Sequence, residues 1–420
     1  VMKKIMSQRP PLINIHWPEQ AEEGKRKALS AYPLFALAFR PFFLAGACWA
    51  FVAISIWALW FSGLMSFQFG FPAALWHAHE MLFGFGAAVA VGFLLTAAQN
   101  WTGLPSLSGK PLLLLTGLWL TARFSLLFAE YTPLLWLFIA TQLLWWAGAI
   151  YSLAALLFRA KSKNNYLFIP LLSGMALLNT AFVYAAAIQQ FAAASHLSHS
   201  MILLFGILMG IVGGRVIPFF TARALGLEQI KTPLLDKLLL PLSVFGTALF
   251  ITGFFVQLPL KAGWLMLLVG ALHLVRLSFW TPWKIWAAPL LWSLQLAYLA
   301  LALGLILLGI SDLTQLLVFK DVLHLLSISA MAGMITGSKP GARRNICGMR
   351  RSCWRWTRER PVLAPSCSIV LARCAAWPSS PLASIFPGRA GSSTMPARSG
   401  GRNWPWRAPC CGNKGYRRAK

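Results

Sequence analysis

Residues 76–103 read WHAHEMLFGFGAAVAVGFLLTAAQNWTG. No charged residue follows Glu80 in this stretch, and Leu, Phe, Ala, Val and Gly fill most positions. A helix needs about 20 apolar residues to cross a hydrocarbon core about 30 Å thick, and this run supplies them. It opens on two histidines and a glutamate, beside Trp76, a residue type that favours the headgroup region. The stretch predicts a membrane-spanning helix with chemistry at its start.

The rest of the chain has the same character. Of its 420 residues 58% are apolar and only 11% charged, where soluble chains run about 45–50% and about 25%. That balance excludes a cytosolic enzyme, a disordered protein and a secreted disulfide scaffold. Ten stretches have the length of a span, near 42–63, 77–98, 111–128, 133–157, 166–188, 196–219, 238–257, 260–280, 287–309 and 316–337. They should be helical, because lipid cannot satisfy open backbone groups. The expected fold class is all-α, a polytopic transmembrane helix bundle of about ten spans. No internal repeat is evident, and the first 30 residues are polar, with no signal-peptide core.

Basic residues alternate between the loops, which sets orientation. The N-terminal segment carries Lys3, Lys4, Arg9, Lys25, Arg26, Lys27 and Arg40. Every second loop is basic: Lys110, then Arg159, Lys161 and Lys163, then Arg223, Lys231 and Lys237, then Lys284. The intervening loops carry only Lys261. A cytoplasmic N-terminus follows, with the even-numbered spans running from outside to inside.

The net charge of +27 comes mostly from the far end of the chain. Residues 339–420 hold 17 Lys and Arg against the single acid Glu359, which leaves 20 against 9 for the remainder. Six of seven cysteines also lie there, so Cys48 has no partner for a disulfide within the apolar part. The chain thus divides into a polar cytoplasmic segment 1–32, a bundle 33–337 and a basic Arg/Cys/Pro/Trp-rich tail 338–420. The tail's cysteine spacings fit no zinc pattern.

Ionisable groups inside a membrane are costly and mark functional sites. His77 and His79 open span 2, His196 and His199 open span 6, and His324 lies roughly 12 Å into span 10 by helical rise. All three spans run inward, so five histidines share the outer half, together with Arg123 and the Lys320–Asp321 pair. Depth-matched imidazoles on separate helices suit a metal or haem site. His77 and Glu80 share a helix face, as do His196 and His199. His77 and His79 stand about 200° apart and cannot grip one ion from a regular helix. The plainer reading of a membrane histidine is an interhelical hydrogen bond, which suits His196 and His273. Arg215, beside Gly213 and Gly214, either snorkels to the interface or holds a propionate or another anion. Pro218 should end its span. Asn179 and Gln295 read as interhelical glue. No CxxCH is present, so any haem would be held non-covalently.

Six blocks carry a resemblance. PLFALAFRPFF (33–43), WHAHEMLFGFGAAVAVGFLLTAAQNWTG (76–103), GGRVIPFFTARAL (213–225), ALHLVRL (271–277), PLLWSLQLAYL (289–299) and VLHLLSISAMAGM (322–334) are similar, in order, to the NnrS family. The resemblance implies a bacterial cytoplasmic (inner) membrane protein of about twelve helices that contains haem and copper. It also implies a role in nitric oxide metabolism, denitrification or protection from nitrosative stress. Nitric oxide or nitrosylated metal species would be its partners, with no nucleic acid. His77, His79, His199 and His324 are the candidate metal or haem ligands. Glu80, Arg215, His273 and His196 are candidates for supporting or anion-binding roles.

Two departures stand out. Gln295 replaces a histidine expected within the fifth block. Beyond Met334 the family continues with two more helices, whereas this chain reads TGSKPGARRNICGMRRSCWRWTRERPVLAPSC. A frameshift gives that signature, and the tail is read as its product, not natively folded. Two other readings stay open: a proton-coupled transporter or channel using the histidines and Glu80 as a relay, and a damaged, inactive copy of the family.

Overall fold

Each of the ten apolar runs folds as a helix in the computed structural model, which describes residues 33–66, 70–282, 285 and 289–333. The N-terminal segment, Lys284 and the tail lie outside the described residues. The helices are α1 (Phe39–Phe61), α2 (Ala73–Thr102), α3 (Lys110–Leu127), α4 (Thr132–Arg159), α5 (Phe168–Ala187), α6 (Phe191–Leu225), α7 (Pro233–Gly253), α8 (Ala262–Phe279), α9 (Pro289–Thr314) and α10, which starts at Phe319. No strand occurs among the described residues. Eight of the ten are long and apolar enough to cross a membrane; α3 and α10 are the exceptions. α3 has 18 residues, with Lys110 and Arg123 among them, and α10 is described only to Gly333. The protein is a multi-pass helical bundle.

Short connections make sequence neighbours pack side by side, α3 on α4, α5 on α6 and α8 on α9. The α8–α9 seam is the closest. A methyl group on Gly309 would lie 2.7 Å from the Gly263 carbonyl oxygen, and one on Gly270 would lie 2.8 Å from that of Ala302. Asp312 accepts a hydrogen bond from the Gly263 backbone N–H at 2.8 Å. Small residues that let backbones touch are how helices associate in lipid, where hydrophobic driving force is absent.

Three local features depart from the sequence reading. α6 does not end at Pro218 but runs on to Leu225, where Gly226 adopts a left-handed φ of 66°. A proline removes one hydrogen bond, and neighbouring helices can compensate for it. α10 starts at Phe319 rather than 316, which leaves His324 roughly 8 Å from its start. The third is a change of helix type. α2 is α-helical over Ala73–His79, π-helical over Glu80–Gly86 and α-helical again over Ala87–Thr102. α10 repeats the change, α-helical over Phe319–His324 and π-helical over Leu325–Ala332. Both π stretches begin directly after a histidine, and such stretches are frequent at functional sites.

Candidate functional site: two polar hubs and a histidine rim

The end of the bundle where α2, α4, α6, α8 and α10 begin holds a closed ring of buried polar side chains. Arg123 (α3) donates through Nη1 to Glu80 Oε1 (α2) at 2.7 Å, and through Nη2 to Gln142 Oε1 (α4). Gln142 Nε2 donates to Asn179 Oδ1 (α5) at 3.0 Å. Asn179 Nδ2 lies 2.9 Å from His79 Nε2, and His79 Nδ1 lies 2.9 Å from Glu80 Oε1. Two tryptophans bond to the ring from outside it: Trp49 (α1) donates to Glu80 Oε2, and Trp146 donates to Asn179 Oδ1 at 3.0 Å.

Donor and acceptor accounting assigns the histidine. Asn179 Nδ2 can only donate, so His79 Nε2 accepts, and Nδ1–H donates to the carboxylate. Every donor then points round the ring from the Arg123 guanidinium to the Glu80 carboxylate. Five consecutive helices are tied by this one network. Gly84 makes room for it, since a methyl there would lie 2.8 Å from Arg123 Nη1. Phe71, Phe83, Phe138 and Phe182 wall the imidazole. Removing Asn179 orphans His79 Nε2 and the donors of Gln142 and Trp146. Asn179→Leu is therefore expected to cost about 1–3 kcal/mol, read as a lower unfolding midpoint in detergent. An unchanged midpoint would mean that the ring is not holding α5.

A second hub ties α6 to α9 towards the other end. Arg276 (α8) pairs with Asp236 (α7) and donates to Gly210 O (α6) at 3.1 Å and to Tyr298 Oη (α9) at 3.2 Å. His273 Nδ1 lies 2.7 Å from the same phenol oxygen. Gly210 and Gly214 open the space, because a methyl on Gly214 would overlap the Arg276 guanidinium. Beside this hub is a cavity of about 200 Å³ that also meets Arg215. Arg215 bonds to Asn165 Oδ1 and the Asn164 carbonyl oxygen, and its guanidinium stacks 5.4 Å from Trp101 and 5.3 Å from Phe168.

The remaining histidines form a rim at the first end. His77 stacks on Trp57 at 4.8 Å and keeps a buried Nδ1 with no hydrogen-bond partner among the described residues. His324 Nδ1 bonds to the Lys320 carbonyl oxygen at 2.8 Å, so Nε2 carries the lone pair. His199 rests against Phe319 of α10, within electrostatic reach of His196 and Lys320. His196 donates to the Phe250 carbonyl oxygen and is stacked between Phe250 and Phe254.

The candidate ligands are thus brought to one end but not into one set. His77 lies against Trp57 of α1, His199 lies against Phe319 of α10, and His324 is held by the Lys320 carbonyl. His79 is turned away into the ring, with both nitrogens engaged. Glu80 joins His79 and not His77, although the regular spacing favoured His77. Among the described residues no three His, Cys, Asp or Glu side chains come together as a metal site. Sequence reasoning missed Gln142, Trp49, Trp146, Asp236, Arg276 and Tyr298. Arg276 and Tyr298 were visible only as members of the resembling blocks.

A bundle of apolar helices clamped by a buried Glu80–Arg123 hub and a second hub on the buried Arg276 defines a polytopic membrane protein, with four of its described histidines at one end beside His79 and with His273 in the second hub. The chain belongs to the NnrS family, whose profile, described as NnrS protein, matches residues 33–338. The match stops where the composition turns basic. No curated protein and no solved structure matches the chain.

Proposed function

We propose that this protein binds haem and copper in the bacterial cytoplasmic membrane and handles nitric oxide there, in its metabolism or in protection from nitrosative stress. The observation that carries the reading is that α2, α6 and α10 each bring a histidine, His77, His199 and His324, to the same end of the bundle in a chain of this family. The buried Nδ1 of His77, unpaired among the described residues, and the backbone-oriented ring of His324 each suit an imidazole donor to iron or copper. They do not supply a third donor from the protein. His199 is the donor nearest to a second centre, and Arg215 at the opposite end is the residue for an anionic group. When bound, the metals would supply a coordination position for a small, lipid-soluble gas.

The remaining residues have positioning work. The ring of His79, Glu80, Arg123, Gln142 and Asn179 fixes the start of α2 and so the placing of His77. On this reading the histidine rim faces the outside, as the basic loops at the other end require.

The test is an absorption spectrum with metal analysis on detergent-purified protein. Soret absorbance or copper in the wild type should fall at least tenfold in both His77→Ala and His324→Ala, and much less in His273→Ala. Folded wild-type protein without haem and copper would overturn the reading, as would proton-coupled flux in proteoliposomes without any cofactor.

A further inference from the structure

We propose that the junction of α2, α6 and α10 contains a binding cavity for a small apolar molecule, the size of a diatomic gas or a xenon atom. The cavity measures about 80 Å³ and is lined by Phe43 of α1, by Gly86 and Ala90 of α2, by Phe205 and Met209 of α6, and by Met331 of α10, among others. Every lining residue is apolar. Gly86, Ala90, Phe205, Met209 and Met331 are buried. No histidine lines it, so it is distinct from the histidine rim. Phe43, Phe93, Val212 and Val216 are half-buried, so the cavity opens on one side towards the bundle surface, and its walls offer water no polar partner.

Its position gives the cavity meaning. Gly86 follows His77 by nine residues and His79 by seven. Phe205 follows His199 by six, and Met331 follows His324 by seven. At a rise of about 1.5 Å per residue, all three helices bring their histidines to roughly 10 Å from it, on the same side. The cavity therefore sits deeper in the bundle than the histidine rim, between the helices that carry it. The two polar hubs leave this junction wholly apolar, which water would not favour and a gas dissolved in lipid would.

The walls show how the sequence builds it. HEMLFGFG (79–86) and HSMILLFG (199–206) are related octapeptides that begin with histidine, carry methionine third and end in Phe-Gly. They open helices four apart in the chain, and the relation is easily overlooked in a uniformly apolar sequence. The ends of the two octapeptides meet at the cavity: a methyl on Gly86 would lie 3.0 Å from Phe205 Cζ. Gly86 closes the π-helical stretch of α2, and Met331 lies within that of α10. Two of the three principal walls thus contain the wide turn.

The inference extends the gas-handling reading but does not depend on metal, and its test uses no metal. Xenon is the probe, with full-length protein in nanodiscs imaged under xenon pressure and xenon NMR on the same sample. Xenon should occupy the space between Ala90, Phe205 and Met331. Occupancy should fall at least tenfold in Ala90→Phe, which fills the pocket from α2, and in Val212→Phe, which fills it from the half-buried edge of α6. The melting temperature of each variant reports folding, and the inference stands if either folded variant loses the signal. A wild-type site without xenon, or one filled by continuous acyl-chain density, overturns it. Loss of haem and copper with xenon retained would sink the metal reading and leave this one intact.

Discussion

Arg123→Leu should lower the folding stability of the bundle by about 3–5 kcal/mol, the usual result of stripping one partner from a buried ion pair. Both Arg123 and Glu80 are wholly buried. Without the guanidinium, the Glu80 carboxylate keeps only His79 and Trp49 as donors, in surroundings where water cannot replace the third. Gln142 loses its donor at the same time. Glu80→Gln leaves the opposite charge stranded and should be comparably costly. The double variant Arg123→Met with Glu80→Met should recover part of the loss, since no charge is left behind. Unfolding of each protein in mixed micelles, titrated with a denaturing detergent, measures this. Single variants within about 1 kcal/mol of wild type, small beside the expected loss, would show that the ring is peripheral to stability.

Gly309→Ala is the second large effect expected, about 1–3 kcal/mol from overpacking. The added methyl meets backbone on α8, 2.7 Å from the Gly263 carbonyl oxygen and 3.0 Å from Leu267 N. Backbone cannot rotate aside as a side-chain tip can, so α8 and α9 must separate. That shift would carry Tyr298 away from His273 and Arg276 and loosen the second hub. Gly117→Ala is the matched control, because a methyl there meets nothing within 4 Å. Equal melting temperatures for Gly309→Ala and Gly117→Ala would contradict the close seam.

The helices were legible because lipid permits only one answer to a long apolar run. Spans near 111–128 and 260–280 were found by length and loop charge alone, and helices Lys110–Leu127 and Ala262–Phe279 occupy them. The hubs were legible only in part. Asn179 was recognised as glue, and it does bridge three helices. Its partners were not named, because a lone Gln142 or Trp146 in an apolar run shows neither its face nor its neighbour. His79 and Glu80 stand out as ionisable, yet the pairing of Glu80 with Arg123, 43 residues away, depends on how α2 and α3 pack. The π-helical turns left no trace in the periodicity, since nearly every position around them is apolar.

Those wider turns also set an angle. An α-helix advances about 100° per residue, and the π stretch after His79 accommodates a residue that a straight α-helix would not. Deleting Leu82 would let α2 relax to uniform geometry and swing its first two turns by roughly that angle against the remainder. The carboxylate would rotate off its guanidinium and His77 off Trp57. The surplus residue behaves like an index mark on a dial: it lets the opening segment be aimed separately from the shaft, and α10 carries a mark of the same kind.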